Sequence, residues 1–207
     1  MPTLLMRMRA PMMSWGDHSR FTIRDSRREP TKSAVIGLIC AALGRPRWEP
    51  VDDLTALKMG VRIDKPGVMQ CDYHTVMDGI KSGGGPGGTV ISQRYYVADA
   101  DYLVGLEGDR AKLVEIDTAL QNPCWQLYFG RKSFIPSCPV RLPEGGLVDA
   151  GLEDALKQHP YTPPNRGIPP RRLEYILETA NSSDVRQDVP VDWQRRLFAS
   201  RCVETKF

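Results

Sequence analysis

The stretch that decides the fold is residues 29–44, which read EPTKSAVIGLICAALG. Thr31 or Ser33 offers a side-chain oxygen for a helix N-terminus, and Gly44 is the residue type that commonly ends a helix. Between these signals, apolar residues cover most faces of the helix predicted over Lys32–Leu43. Because a helix of this composition must be buried, we expect it to pack against a sheet.

Strand patterns lie on both sides of this helix. Leu4–Arg9 begins as an apolar run and then alternates, and we expect Pro11 to end the strand. The other predicted elements are a short helix at Asp52–Lys58, a strand at Gly60–Asp64, hairpin arms at Asp72–Val76 and Thr89–Tyr96, a strand at Tyr102–Leu106, a helix at Asp109–Leu120, a glycine loop at Tyr128–Ser133, and strands near Leu173–Glu178 and Leu197–Glu204. Over residues 1–140 this order is β-α-β-(hairpin)-β-α-glycine loop-β, an α+β pattern that fits a ferredoxin-like or RNA-recognition fold.

The predicted organisation is a single domain over 1–207, with an inserted hairpin over 70–96 and a less regular C-terminal extension over 141–207. The hairpin tip at 82–88 reads SGGGPGG, which is typical of a flexible spacer and not of a core. It does not match a nucleotide-binding loop, because a strand follows it instead of a helix. The segment Tyr161–Pro170 holds four prolines and is expected to be a linker or an extended surface segment.

Composition excludes several classes of function. The net charge of +3 permits nucleic-acid binding without requiring it, but residues 1–50 hold nine Lys and Arg against four Asp and Glu, a net charge of +5. The five cysteines form no Cys-x-x-Cys or Cys/His cluster, so we expect no metal site, no disulfide framework and no cofactor. No apolar run reaches the length of a signal peptide or a membrane span, and we expect a cytoplasmic protein.

Two basic segments are candidate phosphate sites. The Arg-rich loop at residues 20–32 leads into the N-terminus of the predicted helix, where free amides and the helix dipole favour an anion. Gly130–Ser133 follows similar chemistry, since glycine lets a phosphate approach the backbone while two cations and a hydroxyl contact it. A solvated surface charge run remains the alternative for both segments.

The hairpin arms combine aromatic and basic residues, which can stack on unpaired bases. Ordinary packing of strand tyrosines is the alternative. A metal-free ribonuclease could also be assembled from His74, Tyr73 and Lys81 as acid, base and charge stabiliser. However, Lys81 lies beside the glycine tip, which is a poor place for preorganised chemistry.

Six strings carry a family resemblance. They are APMMSWG at 10–16, EPTKSAVIGL at 29–38, DYHTV at 72–76, RYYVADA at 94–100, YFGRKS at 128–133 and FASR at 198–201. Together and in this order they closely resemble the Cas-five (CasD) family of the E-subtype CRISPR Cascade complex. The resemblance runs through nearly the whole chain, and the Pro-rich stretch Leu142–Pro170 is the part that it does not anchor.

The resemblance implies a ferredoxin-like, repeat-associated RNA-binding fold in which the hairpin over 70–96 is a protruding thumb. It implies a non-catalytic subunit of the type I-E Cascade complex that binds the 5′ handle of the crRNA and caps the backbone of the complex. The implied partners are the backbone subunit, the large subunit and other Cascade subunits, with target DNA reached through the assembled complex. A metal-independent endoribonuclease that processes precursor crRNA, as in C-subtype relatives, is the alternative.

The resemblance also assigns residues to these roles. The implied RNA-binding residues are Trp15, Arg20, Arg24, Arg27, Arg28, Thr31, Lys32, Ser33, Gly130, Arg131, Lys132 and Ser133. The implied thumb contacts are Tyr73, His74, Arg94 and Tyr95.

Overall fold

A computed structural model of the protein describes residues 1–17, 21–161 and 171–207. The strands are β1 (Thr3–Met13), β2 (Ile23–Arg24), β3 (Lys58–Lys65), β4 (Val68–Ile80), β5 (Pro86–Glu107), β6 (Leu147–Val148), β7 (Glu174–Glu178), β8 (Asp184–Asp192) and β9 (Leu197–Lys206). The helices are α1 (Lys32–Leu43), α2 (Asp52–Thr55), α3 (Arg110–Gln121) and α4 (Leu152–Gln158). None of the helices in this described part of the chain has both the length and the apolar character needed to cross a membrane.

One sheet organises the described residues around the long strand β5. Its order is β6-β1-β5-β3-β7-β9-β8, and all of these neighbours pair antiparallel. The part of β5 that precedes Val97 instead pairs with β4 antiparallel and with β2 in parallel. The predicted α+β class is therefore confirmed as a mixed α/β structure with an antiparallel sheet.

Both faces of the sheet are covered where β1, β5 and β3 meet. On one face α1 and α3 bury Ile36, Ile39 and Ile116 against residues such as Met6 and Val104. On the other face the shorter helix α4 packs Leu152 and Leu156 against Leu5, Leu103 and Leu177. Side chains alternate between the two faces along each strand, so neighbouring residues of one strand enter different clusters.

Local signals located α1 correctly. Its observed bounds match the prediction, Thr31 accepts a hydrogen bond from the amide of Ala34 through Oγ1, and Gly44 ends it with a φ of 74°. The position of α3 also follows its local signals, since Asp109 caps it by accepting a bond from the amide of Lys112.

Two strand predictions were wrong in extent. β1 continues through Pro11 to Met13, because none of the described strands pairs with β1 on its second side at that point and a missing amide hydrogen costs little there. The predicted arm Thr89–Tyr96 and the predicted strand Tyr102–Leu106 are one continuous strand, β5. Between them lies Asp99, whose φ of 54° departs from the extended backbone of a strand.

The C-terminal third contains more regular structure than the sequence pattern indicated. The predicted strands near Leu173–Glu178 and Leu197–Glu204 are present as β7 and β9, whereas β6, α4 and β8 were not predicted. Most of the predicted linker Tyr161–Pro170 lies outside the described residues.

Candidate nucleic-acid interface

The loop between β1 and α1 is anchored from below by Trp15. Its ring is 1% exposed and packs against Tyr102 and Phe129, with ring centroids 6.2 Å and 5.6 Å away. Its backbone amide bonds to Ser26 Oγ at 2.9 Å, and its carbonyl accepts the amide of Arg27 at 2.9 Å. Trp15 was expected to line an RNA site, but its ring lies in the core. Because the ring is fixed there, the backbone of Trp15 holds this loop in place.

The N-terminus of α1 is already occupied by acidic side chains of the protein. The carboxylate of Asp188, from β8, accepts the Lys32 amide at 2.8 Å, and Arg201 donates two further bonds to the same carboxylate. Lys32 itself is 1% exposed, and its Nζ bonds to both carboxylate oxygens of Glu178 at 2.9 Å and 3.0 Å. The phosphate site predicted at this helix end is therefore filled by Asp188, and Lys32 is buried in an ion pair.

The pKa of Asp188 reflects this arrangement. Burial alone would raise it, but the hydrogen bonds from Arg201 and from the Lys32 amide hold the pKa below its ordinary value. Burial disfavours the charged form of Lys32 as well and lowers the pKa of this amine, while the charge of Glu178 acts to raise it. This cluster is a buried network of opposite charges that joins α1 to β7 and β8.

Other cations of the Arg-rich loop have separate surroundings. Arg27 bonds to the carboxylate of Asp17 through Nε, and the two form an ion pair. Arg28 is exposed, and its carbonyl accepts the buried hydroxyl of Tyr102. Arg20 lies outside the described residues.

Arg24 differs from these residues because its neighbour on the adjacent strand is another arginine. In the parallel pairing of β2 with β5, Arg24 lies opposite Arg94. Arg24 bonds through Nε to the carbonyl of Phe21 at 3.0 Å, and Arg94 bonds through Nε to Ser92 Oγ at 2.9 Å. Like charges on neighbouring strands repel, so this pairing is destabilising unless an anion lies between them.

The glycine loop contributes a third arginine to the same place. Gly130 has a φ of 87° and lies against the carbonyl of Ser14, where any Cβ would collide with the backbone. This close approach positions Arg131, whose Nη2 bonds to the carbonyl of Tyr95 at 2.9 Å and whose guanidinium lies 5.0 Å from the centre of the Phe134 ring. Lys132 and Ser133 are exposed on the same turn.

Arg24, Arg94 and Arg131 together line an open cavity of about 410 Å³, which we call the arginine cleft. The cavity is also lined by Ser14, Gly16, Asp25, Thr31, Ser33, Ala34, Gly130, Trp193 and Phe198. Burial and the charges of Arg94 and Arg24 lower the pKa of Arg131, with Asp72 acting in the opposite direction from 4.0 Å away. Three cations are therefore gathered near two carboxylates, Asp25 in the lining and Asp72 at its edge.

The hairpin of β4 and β5 extends from this cleft. Arg94 pairs with Asp72 across the hairpin, Tyr95 pairs with Cys71, and His74 pairs with Ser92. Tyr73 is 62% exposed and follows Asp72 along β4. Farther out, the hairpin exposes the apolar side chains of Val76, Met77, Ile80, Val90 and Ile91.

The structure thus gathers only some of the predicted residues. Those that line the arginine cleft are Arg24, Thr31, Ser33, Arg94, Gly130 and Arg131. Sequence reasoning missed Ser14 and Trp193, which line it as well. Ser14 lies within the first of the six strings, but no pattern pointed to Trp193, which follows a strand that was not predicted.

Comparison with known proteins agrees with the family resemblance of the six sequence strings. A family model described as "CRISPR-associated protein (Cas_Cas5)" matches residues 3–204. The chain belongs to the Cas5 family of CRISPR-associated proteins. The CRISPR system Cascade subunit CasD of Escherichia coli (strain K12) is 31% identical over 176 residues, which cover 70% of this chain and 75% of that protein.

Two solved structures extend this family relationship to the fold. A structure described as the crystal structure of a Cas protein has a TM-score of 0.81 and 43% identity, covering 99% of this chain and 93% of its own. A chain of a CRISPR RNA-guided surveillance complex has a TM-score of 0.82 and 30% identity, covering 99% of this chain and 89% of its own. The Cas5 fold therefore spans nearly the whole of the present chain.

Proposed function

We propose that this protein is the non-catalytic subunit of a Cascade-type CRISPR surveillance complex that holds the 5′ handle of the crRNA. The observation that carries the proposal is the arginine cleft, in which two arginines face each other on neighbouring strands and a third lies beside them. Membership of such a complex is supported by the similarity to Cascade subunit CasD and to a chain of an RNA-guided surveillance complex.

The cleft has the chemistry that an RNA backbone requires. Guanidinium groups bind phosphate with paired, charge-assisted hydrogen bonds, and a phosphate between like charges removes their mutual repulsion. Ser14 and Ser33 add hydroxyl donors in the same cavity. A handle of fixed sequence is held here by its backbone and by bases splayed away from it.

The core is consistent with a ferredoxin-like RNA-binding fold. Leaving out β2, α2 and β4, the chain runs β1-α1-β3-β5-α3-β6, which is the β-α-β-β-α-β order of that fold. On this view the hairpin of β4 and β5 is the thumb. Its exposed apolar residues suit a surface that another subunit covers, since a two-stranded hairpin gains little by exposing them to water.

On this proposal the thumb contacts the backbone subunit and the large subunit of the complex. The assembled complex then reaches target DNA in the cytoplasm.

The alternative function, metal-independent RNA cleavage, would use Tyr73, His74 and Lys81 together. Tyr73 and His74 are successive residues of β4, so their side chains point to opposite faces of the hairpin. This arrangement favours the scaffold role.

The test is to co-express the tagged chain with the other subunits of its native complex, purify the assembly and sequence the bound RNA. We expect guide-length RNAs that share one 5′ handle, and we expect an Arg94→Ala, Arg131→Ala double variant to retain much less RNA. Heterogeneous RNA, or none, would contradict the proposal. Cleavage of a repeat RNA by the purified chain without metal, lost in His74→Ala, would establish the enzymatic alternative.

A further inference from the structure

A second cavity, of about 250 Å³, opens beside the arginine cleft. The two cavities share Ser33, Ala34, Gly130 and Trp193 in their linings, so they are adjacent. The second cavity is also lined by Trp125 and Tyr128, and we call it the aromatic pocket. It therefore places three aromatic side chains directly next to a cluster of cations.

The floor of the aromatic pocket is formed by a glycine inside a helix. Gly37 lies in the middle of α1, where glycine is destabilising relative to alanine. Among the described residues, a Cβ at this position would meet a single neighbour within 4 Å, the Trp193 ring at 3.8 Å, which is an ordinary contact. Packing alone therefore does not require glycine at this position, and its effect is to leave the pocket open.

The aromatic walls are held in place before any ligand arrives. The amides of Cys124 and Trp125 donate to the carbonyls of Ala42 and Ala41 at 2.9 Å and 3.0 Å, which fixes this loop on the end of α1. Trp193 packs edge-on against Phe198, with ring centroids 6.0 Å apart. Trp125 is nevertheless 48% exposed and lines the pocket, so a ligand in the pocket can contact it.

We propose that the aromatic pocket takes one unpaired nucleobase of the RNA whose phosphates lie in the arginine cleft. This inference rests on the proposed function and adds a base-binding element to it. Any nucleobase can stack on an aromatic side chain, because every base has a π-face. The phosphate of the same nucleotide must then lie a short distance away, where the arginine cleft begins.

The charges around the pocket favour a nucleic acid over an apolar protein segment as its occupant. Among the described residues that line the pocket are Arg45 and Arg47, and none is acidic. Arg45 is paired with Asp53 at 2.6 Å, whereas Arg47 is exposed beside it. The adjacent arginine cleft adds to this positive potential, which complements a nucleotide.

The test compares binding of two probes by the full chain. One is an oligouridylate of about 12 nucleotides, and the other is a ribose-phosphate chain of the same length without bases. The ratio of their affinities measures what the bases contribute, while the salt dependence of either affinity measures the phosphate contacts. We expect Trp125→Leu to reduce the ratio roughly 5- to 150-fold, the contribution of one stacked base, with the salt dependence unchanged.

Three further variants identify the cause of any change. Trp125→Phe should retain most of the ratio, because a phenyl ring still stacks. Gly37→Leu should reduce the ratio as Trp125→Leu does, because its side chain fills the pocket. Trp48→Leu is the matched control, since Trp48 is 73% exposed and lines neither cavity, and it should leave the ratio unchanged.

An unchanged ratio in both Trp125→Leu and Gly37→Leu would overturn the inference while leaving the proposed function intact. The same result combined with loss of another subunit from the assembled complex would assign the pocket to a protein segment and also overturn it. If the wild-type chain binds neither probe and its assembled complex carries no handle-bearing RNA, the proposed function itself fails, and the base pocket fails with it.

Discussion

The N-terminus of α1 and the arginine cleft lie side by side, and basic residues contribute to both. At the helix end, Lys32 is buried and bonded to Glu178, and the nearly buried side chain of Arg201 is bonded to Asp188. In the cleft, Arg24 and Arg94 face each other across neighbouring strands. The first region has satisfied its charges within the protein, whereas the second keeps like charges together.

This difference separates a structural use of charge from a binding use. A buried ion pair holds elements together and costs several kcal/mol to break, but it has no remaining capacity for a ligand. Like charges gathered at an open cavity weaken the free protein slightly and are stabilised when an anion binds. The basic character of the residues 20–32 segment is therefore a poor guide to function until the partner of each cation is known.

The largest expected effect comes from breaking the helix-end cluster. Asp188→Asn should lower the free energy of unfolding by about 3–5 kcal/mol, because it removes the charged partner of the nearly buried Arg201 side chain, which keeps only the longer contact with Glu178 at 3.5 Å. Denaturant unfolding monitored by circular dichroism measures this loss. Asp184→Asn is the matched control, since its pair with Arg186 is half-exposed and should contribute about 0–1 kcal/mol.

Equal losses in these two variants would contradict a structural role for the ion pairs at the N-terminus of α1. That result would mean that the ion pairs at the N-terminus of α1 stabilise the fold no more than a surface pair does. The distinction between a structural use of charge at the helix end and a binding use in the arginine cleft would then be lost.

The second effect concerns RNA affinity. Arg131→Ala should weaken binding of single-stranded RNA by about 1.5–3 kcal/mol and reduce the slope of log affinity against log salt by about one. Arg27→Ala is the control, because Arg27 already pairs with Asp17 and should leave the slope unchanged. Filter binding over a salt series measures both quantities, and equal slopes for Arg131→Ala and the wild type would remove Arg131 from the site.

Local patterns were sufficient to predict α1, a cap at Thr31 or Ser33, and the Gly44 end, because each of these signals lies within the helix or next to it. The structure selects Thr31 as the cap. The fate of Lys32 could not be predicted in this way. Its partner Glu178 lies on β7, and Asp188, which occupies the amide next to it, lies on β8, a strand that the sequence pattern did not indicate.

The arginine cleft also depends on contacts between distant segments, which local sequence patterns do not predict. Arg24, Arg94 and Arg131 were all named as candidates from the sequence, but on three separate segments and for two different roles. Arg24 and Arg94 are brought together by the parallel pairing of β2 with β5, a two-residue contact that no periodicity reveals. Arg131 joins them because Gly130 lies against Ser14 and the Arg131 side chain bonds to the carbonyl of Tyr95. The role of the hairpin as a thumb stays a prediction.

The smallest expected effect is also the most direct test of charge repulsion in the cleft. Arg24→Gln should raise the free energy of unfolding of the RNA-free protein by about 0.2–1 kcal/mol, because it removes one of two like charges on neighbouring strands. Denaturant unfolding without RNA measures the change, with Arg28→Gln as a control that alters net charge equally at an exposed position outside the strands.

The same Arg24→Gln variant should bind RNA more weakly than the wild type, so that one substitution changes stability and affinity in opposite directions. An arginine that served only to stabilise the fold would give the reverse result, a loss of stability with no change in affinity. That outcome would place Arg24 with the cluster at the N-terminus of α1. Opposite signs would show that the free protein tolerates the repulsion of Arg94 and Arg24 for the sake of the anion that relieves it.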